Sequence, residues 1–547
     1  LFSLLLVTAM ILSSCGTPTT TNPTAVTITG ATKATTTATT TVATTTASST
    51  TATATAAGAE TMVDTLGKTI LKPQYGGTYN MANTVDIYGF DTSYTYNYNM
   101  TAVNMTNEPL VAGDWAKGPA GTKEASWQIT GVTFLPKSTG YIAESWEVPD
   151  GTTMIYHIRK GIHFQNKPPV NGRELDANDV VFSLKRNFEI PGSYCNITYK
   201  GADAPTSITA TDQWTVTIKT NPGKQGPLFI VISGYIQIYP ANGAGADGTF
   251  RDWKTSNGTG VFKITDYVPM SSSTYVKNPD YWRKDPLTGM QLPYLDKMIL
   301  LVIPDMTTIT AGLQTGKIDH YLGLTWDMAE SLKKTNPELV SGSYKASGTL
   351  SIQMALGKGF PWDKKEVRYA IARAIDRDKI VNEFFGGNAD KFSFPIAPIP
   401  EFMGMFMPFS ELPQSTQDIY TYNLAAAKQL MKDAGQEAGF TAEIIVSTST
   451  PTYVDTLSLV AGMLKQINIT MVIKPLESAV WTSQNNSRSF PNWTYDGDGN
   501  GAPYKLNAFR LGNPQNAGNI DSPYLVDIYN QVNTLYPFDT PGAEALI

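Results

Sequence analysis

The sequence predicts an α/β protein of two lobes, and three observations carry the prediction. At 547 residues the chain is too long for one hydrophobic core and divides into two or three domains of ordinary size. Residues 141–186 read as a strand, a tight turn, a second strand, a loop and a capped helix. From Asn423 onward strand and helix patterns alternate, which implies a lobe whose sheet is at least partly parallel.

Composition narrows the function classes. A hydrophobic share of 41% with 11% aromatic residues supports a well-packed core. The 27 tyrosines and 10 tryptophans suit either sheet packing or recognition of a peptide or carbohydrate. Lys and Arg number 41 against 47 Asp and Glu, a net charge of −6 with no basic run, which argues against a nucleic-acid surface. The two cysteines, Cys15 and Cys195, allow neither a disulfide framework nor a structural zinc cluster from spacing. Of the three histidines, His157, His163 and His320, the first two fall on and just beyond the hairpin and are read as surface or packing residues, and no metal site, cofactor or catalytic residue is assigned to any of the three.

In chain order, residues 1–15, LFSLLLVTAMILSSC, form an apolar run shorter than the roughly 20 residues a membrane span needs. The run reads as the hydrophobic part of an export signal entered part-way. Leu12-Ser13-Ser14-Cys15 resembles a lipobox, in which small residues admit the peptidase and the thiol takes the lipid. Cys15 is therefore the expected lipidation site, with a chance cysteine after a signal peptide as the plainer alternative. Residues 16–59, dominated by Thr and Ala with one charge at Lys33, have too little apolar surface to offset the entropy of ordering and are expected to form a disordered tether.

Folded structure is expected from Glu60. Trp146 and Val148, then Met154, Tyr156 and Ile158, alternate as half-buried strands do, with Pro149-Asp150-Gly151 as the turn between them. Asp176 is placed to cap a helix with Asp179 three residues on, and Val180, Val181 and Leu184 give that helix an apolar face. Trp214 to Ile218 alternates as a strand, and Asp305 is a cap for the segment that ends at Leu313. Val367, Ile371, Ala374 and Ile375 mark one face of a helix running to Ile380, with Asp363 able to cap it. Asn423 to Ala434 reads as an amphipathic helix stopped by Gly435, and Glu443 to Val446 and Thr470 to Ile473 as strands on either side of another helix.

Several of these stretches, in this order, resemble the peptide/nickel-type family of extracytoplasmic solute-binding proteins, which serve ABC importers. The longest is AESWEVPDGTTMIYHIRKGIHF followed by LDANDVVFSLKR. Tyr75-Gly76-Gly77-Thr78-Tyr79 and Asn107-Glu108-Pro109-Leu110-Val111 precede it. Gly258 to Lys263, Asn278 to Trp282, Leu292 to Asp296, Gly316 to Asp319 and the Phe360 to Arg368 helix start follow it. The resemblance implies a two-lobed, periplasmic-binding-protein-like fold of type II with an extra domain and a ligand cleft between the lobes. Lobe one would comprise 60–106 and 236–320, with a C-terminal return segment missing. The extra domain would be 107–235, and lobe two 321–547, cut short at its C-terminus.

The resemblance also nominates contacts. Asp496, after Trp493 in a W-x-x-D setting, corresponds to the carboxylate that pairs with a peptide's α-ammonium group in relatives, because a cation taken from water into a closed cleft needs a partner. A Gly/Asp-rich surface turn is the alternative there. Tyr94, Tyr96 and Tyr98 fall near the expected cleft mouth, or in a solvated loop. The function implied is capture of a peptide or related small solute by hinge closure and delivery to a membrane permease. A monomer without enzymatic activity is expected, held outside the cytoplasm by its lipid. A sugar- or metal-complex-binding sibling of the same family is one alternative. A lipid-anchored surface hydrolase is the other, although the sequence carries no G-x-S-x-G elbow and no H-E-x-x-H helix.

Overall fold

The computed structural model describes residues 60–546, apart from 88, 95–100, 120–121, 128–134, 346–348, 394–395, 499–505, 507–508, 512, 514–515 and 517. The export signal, Cys15, the Thr/Ala-rich stretch, Tyr96 and Tyr98 lie outside the described residues. Among those described, no helix is long and apolar enough to cross a membrane.

Three four-stranded sheets organise the rest. In the first, Gly76 and Gly77 take φ of 115° and 85°, open to glycine, and lead into the strand Thr78–Asn83. That strand pairs in parallel with Lys297–Val302, which continues antiparallel to Ser272–Lys277 and then Phe262–Val268. Lobe one is thus built from distant parts of the chain, as the parallel pairing requires.

The second sheet is antiparallel throughout, in the order Ala143–Asp150, Thr153–Ile158, Thr215–Lys219, Ser207–Asp212. Met154, Tyr156 and Ile158 point into its core, as their alternation predicts. The turn differs from expectation: Asp150 stays in the strand opposite Thr153, and the reversal falls at Gly151-Thr152. The cause is the Asp150 carboxylate, which accepts from the Thr152 N–H at 2.7 Å and from the Thr152 and Thr153 hydroxyls at 2.8 Å. The helix Ala177–Glu189 begins as expected, with Asp176 accepting from Asn178 N–H and Asp179 closing the capping box.

The third sheet runs Thr349–Met354, Trp493–Asp498, Phe440–Ser447, Ile469–Leu476. Phe440–Ser447 and Ile469–Leu476 are parallel and joined through the helix Pro451–Leu464, the predicted strand-helix-strand unit. Trp493–Asp498 is an interior strand, which replaces the surface-turn alternative for this stretch. The helix expected to reach Ile380 is Lys365–Ala374 and stops there. Asp376 starts a new short turn by accepting from Lys379 N–H. Asp363 does not cap this helix; its carboxylate accepts from the N–H groups of Gly357, Gly359 and Phe360 and so closes the 3-10 turn Pro361–Asp363.

Packing joins two late stretches of the chain to the second sheet. Residues 396–406 and 523–546 do not join the core of the third sheet. Ile399, Phe402, Tyr529, Val532, Tyr536 and Ala543 pack instead in the core of the second sheet, beside Phe229 and Met154. The helix Pro523–Leu535 packs its buried face, Tyr529 and Val532, in the same core as Leu228 and Phe229.

Three of the ordered sequence words meet at one carboxylate. Glu108 is buried and accepts from Tyr281 O–H at 2.7 Å, Thr259 O–H at 2.8 Å and Trp282 Nε1–H at 2.9 Å. Burial raises its pKa above the ordinary glutamate value, against the opposing pull of those three donors and of Arg283. These three words thus tie Glu108 to the 258–282 stretch, away from the residues that line the cavity against the third sheet.

Candidate functional site

A cavity of about 1650 Å³ opens against the third sheet. That exceeds the usual range of a few hundred to about 1,000 Å³ for a small-molecule pocket and leaves room for a ligand of several residues. The strand Thr349–Met354 forms its floor, joined by Arg368, Ile371 and Ile375 from the helix Lys365–Ala374 and its end, and by Tyr495. Other lining residues come from elsewhere in the chain: Lys123, Ala125, Ser126 and Trp127, and Trp326, which opens the helix Trp326–Thr335 packed beside Met306–Gln314.

The segment ending at Trp127 is held by one side chain. Glu401, 7% exposed, accepts from Ser126 N–H at 2.7 Å, from the Ser126 hydroxyl at 2.8 Å and from Trp127 N–H at 3.2 Å. The Trp127 indole donates to Gly118 O at 2.7 Å. Lys123 and Trp127 both stand at positive φ, 63° and 54°, a conformation that side chains larger than glycine avoid unless the surroundings impose it. The Glu401 bonds supply that constraint at Trp127.

Two arginines line the facing wall, each held through a single nitrogen. Arg368 Nη1 donates to Trp362 O at 2.7 Å and Asp363 O at 2.9 Å. Arg377 Nη1 donates to Ala372 O at 3.0 Å, Tyr420 O at 3.2 Å and Ile375 O at 3.4 Å, and its guanidinium lies 5.0 Å from the centre of the Tyr420 ring. These carbonyls include the C-terminal ones of the helix Lys365–Ala374, where cations are favoured. Burial depresses the Arg377 pKa, with the Tyr420 phenol acting in the opposite sense.

Residues 137–516, well over half of the chain, match the family model described as bacterial extracellular solute-binding proteins, family 5. The chain belongs to this family. Among curated relatives, a heme-binding protein A of Haemophilus influenzae is 30% identical over 320 residues, 55% of this chain and 54% of its own length. A dipeptide-binding protein of Escherichia coli is 27% identical over 320 residues, 55% of this chain and 56% of its own. The chain thus matches about half the length of these relatives. Among solved structures, the periplasmic binding protein DppA of Helicobacter pylori with the peptide STSA superposes with a TM-score of 0.69 at 23% identity, over 86% of this chain and 89% of that one. The oligopeptide-binding protein AppA of Bacillus subtilis with a nonapeptide gives 0.68 at 20%, over 87% and 90%. The two-lobed family 5 fold expected from the sequence words is therefore present.

In this family 5 protein the predicted contacts are scattered. Trp493 is fully buried in the core of the third sheet, its ring 5.3 Å from Trp362 and edge-on, and it does not line the cavity. The tryptophan that marks the W-x-x-D setting is a packing residue; Tyr495, two residues along the strand, reaches the cavity wall. The Asp496 backbone pairs with Ser351, which is part of the floor, and its side chain lies outside the described residues. Tyr94 sits elsewhere, its ring 4.1 Å from the Arg251 guanidinium and 36% exposed. Sequence reasoning missed Trp127, Trp326, Arg368 and Glu401, which come from four distant stretches. Arg377, inside the predicted helix running to Ile380, and Arg368, at the end of the Phe360 to Arg368 helix start, lay in segments already marked as organised.

Proposed function

We propose that this chain is the solute-capturing component of an ABC importer, taking a peptide or related small solute into the cavity between its lobes and presenting it to a membrane permease. The observation that carries the reading is a large cavity walled by Lys123 to Trp127 and Trp326 on one side and by the third-sheet lobe on the other. A solute touching both walls gains more from the closed arrangement than from the open one, which is what drives hinge closure. Membership of family 5 and relatives named as binding proteins support a role without catalysis. An extracytoplasmic location, with Cys15 as lipid anchor, completes the proposal; it rests on the sequence of residues 1–15.

A heme or metal complex is the second reading, favoured by the relative named heme-binding protein A. Among the described residues no cluster of three His, Cys, Asp or Glu side chains is placed to hold a metal ion, so such a ligand would arrive as an intact complex.

Thermal-shift titration with di- and oligopeptides, oligosaccharides, hemin and metal chelates tests the proposal. A ligand at a hundred times its dissociation constant stabilises by about 2.7 kcal/mol, an easily read shift. A shift with one class and none with the others identifies the solute. Turnover of any compound in the panel would overturn the binding-protein reading.

A further inference from the structure

Among the described residues three methionines are exposed, Met270, Met403 and Met407. The last two, 55% and 50% exposed, fall four residues apart in the run Met403-Gly404-Met405-Phe406-Met407. The turn that carries them is well defined. Pro400–Phe402 is a 3-10 turn, and Phe402 O then accepts from the N–H groups of Met405 and Phe406, both at 2.9 Å. Its inner side is committed to packing, with Phe402 and Met405 buried in the core of the second sheet and Phe406 against them. Met403 and Met407 are left outside, at the spacing that sets side chains on the same face of one helical turn. Their thioethers add nothing to the core.

Between them lies Gly404, whose φ is outside the left-handed region, so the backbone there does not call for glycine. The space a side chain would fill is taken by Glu544, the last residue of the helix Thr540–Glu544. A Cβ at residue 404 would lie 2.4 and 2.6 Å from its two carboxylate oxygens. That carboxylate meets no cation and no hydrogen-bond donor among the described residues. It lies close to packed protein: burial raises the pKa of the Tyr536 phenol, and the Glu544 charge adds to the rise. An unpaired carboxylate so placed attracts a cation.

Two thioethers beside one carboxylate select among cations. Thioether sulfur is soft and uncharged and favours Cu(I) over hard ions such as Mg²⁺ and Ca²⁺, while a single carboxylate balances a single positive charge. We propose that Met403, Met407 and Glu544 form a surface site for a soft monovalent cation, Cu(I) or its analogue Ag(I). None of the three lines the cavity, so the site is separate from solute capture.

The test is a silver nitrate titration of the full chain in chloride-free buffer, read from the ¹³C-labelled methyl groups of its methionines. All samples carry Cys15→Ser so that the Cys15 thiol does not compete; Cys195 is fully buried. The Met403 and Met407 signals are expected to move on one shared isotherm that ends at one silver per chain, with Met270 unmoved until silver is in excess. Met403→Leu is expected to abolish the shift of Met407 in that range, Met407→Leu to do the same to Met403, and Glu544→Gln to weaken the isotherm several-fold. Leucine matches methionine in size and both positions face solvent, so these variants keep the fold, as a melting curve checks. Anaerobic competition for Cu(I) against bicinchoninate is expected to show the same loss in both methionine variants and none in Met270→Leu. Separate isotherms for Met403 and Met407, or movement of Met270 at the same silver concentration, would mean that silver binds any exposed thioether and would overturn the proposal. Full affinity in Glu544→Gln would overturn the three-donor site as well.

Discussion

At Glu108 and Glu401 the chain uses the same device, a buried carboxylate satisfied by neutral donors, for two ends. Around Glu108 the donors Tyr281, Trp282 and Thr259 are themselves buried or half-buried. Removing the acceptor leaves three donors unsatisfied, each at about 1–3 kcal/mol. Glu108→Ala is therefore expected to lose at least about 3 kcal/mol of stability in urea denaturation. Because burial raises this pKa in the folded state, the native protein holds the proton to higher pH than the unfolded chain does. Its contribution thus weakens the fold as pH rises from the ordinary glutamate range to the raised value, and is flat above it. Glu108→Gln should remove that part of the pH dependence, as read from denaturation midpoints between pH 4 and pH 8. Around Glu401 the donors belong to the cavity wall. Glu401→Ala releases Ser126 and frees Trp127 to leave its positive-φ conformation, so ligand affinity is expected to fall about tenfold with a smaller change in melting temperature; isothermal titration beside a melting curve separates the two.

The helix Pro523–Leu535 carries the most consequential contact between elements. It lies across Gln225–Ile230, where Gly226 faces the carbonyls of Tyr536 and Asn533 so closely that a Cβ would collide with main chain. Gly226→Ala is expected to push the two helices apart at a cost of about 1–3 kcal/mol, seen as a lowered urea midpoint. The same seam is crossed by Asp203, which pairs with Lys224 at 2.7 Å and Arg510 at 2.8 Å. Burial works to raise the Asp203 pKa, yet the hydrogen bonds and charges of Arg510 and Lys224 hold it below the ordinary aspartate value. With the folded pKa depressed, the pair stabilises fully above the ordinary aspartate range, and that stability is lost as pH falls through the lowered value. Asp203→Asn should flatten this acid limb, measured by thermal melts from pH 6 down to pH 3.

At the scale of the whole molecule, function depends on two walls that the chain builds from remote parts. Ligand that bridges Lys123 to Trp127 with Arg368 and Arg377 is expected to favour the closed arrangement. Small-angle X-ray scattering should show a smaller radius of gyration at saturation, and the change should vanish in Glu401→Ala at ligand concentrations that saturate the wild type only. An unchanged radius in the wild type would mean that the cavity binds without hinge closure.

The sequence by itself determined the local elements and the family. Alternation at Met154, Tyr156 and Ile158, the caps Asp176, Asp305 and Asn423, and the stop at Gly435 are decided by neighbours within a few residues, so they can be read in a line of letters. The family words were legible for a related reason: each is a short run of neighbouring residues, and three of them meet around Glu108. Only the tertiary structure decided the cavity. Trp493 looked like a contact and is core, because burial depends on which sheet position a strand takes and not on the letters beside it. Tertiary packing likewise put Tyr529 and Val532 in the core of the second sheet and set Lys123, Trp127, Trp326 and Arg368 around one space. Such long-range placement follows from the summed packing of residues far apart in the chain, a quantity that no short stretch of it contains.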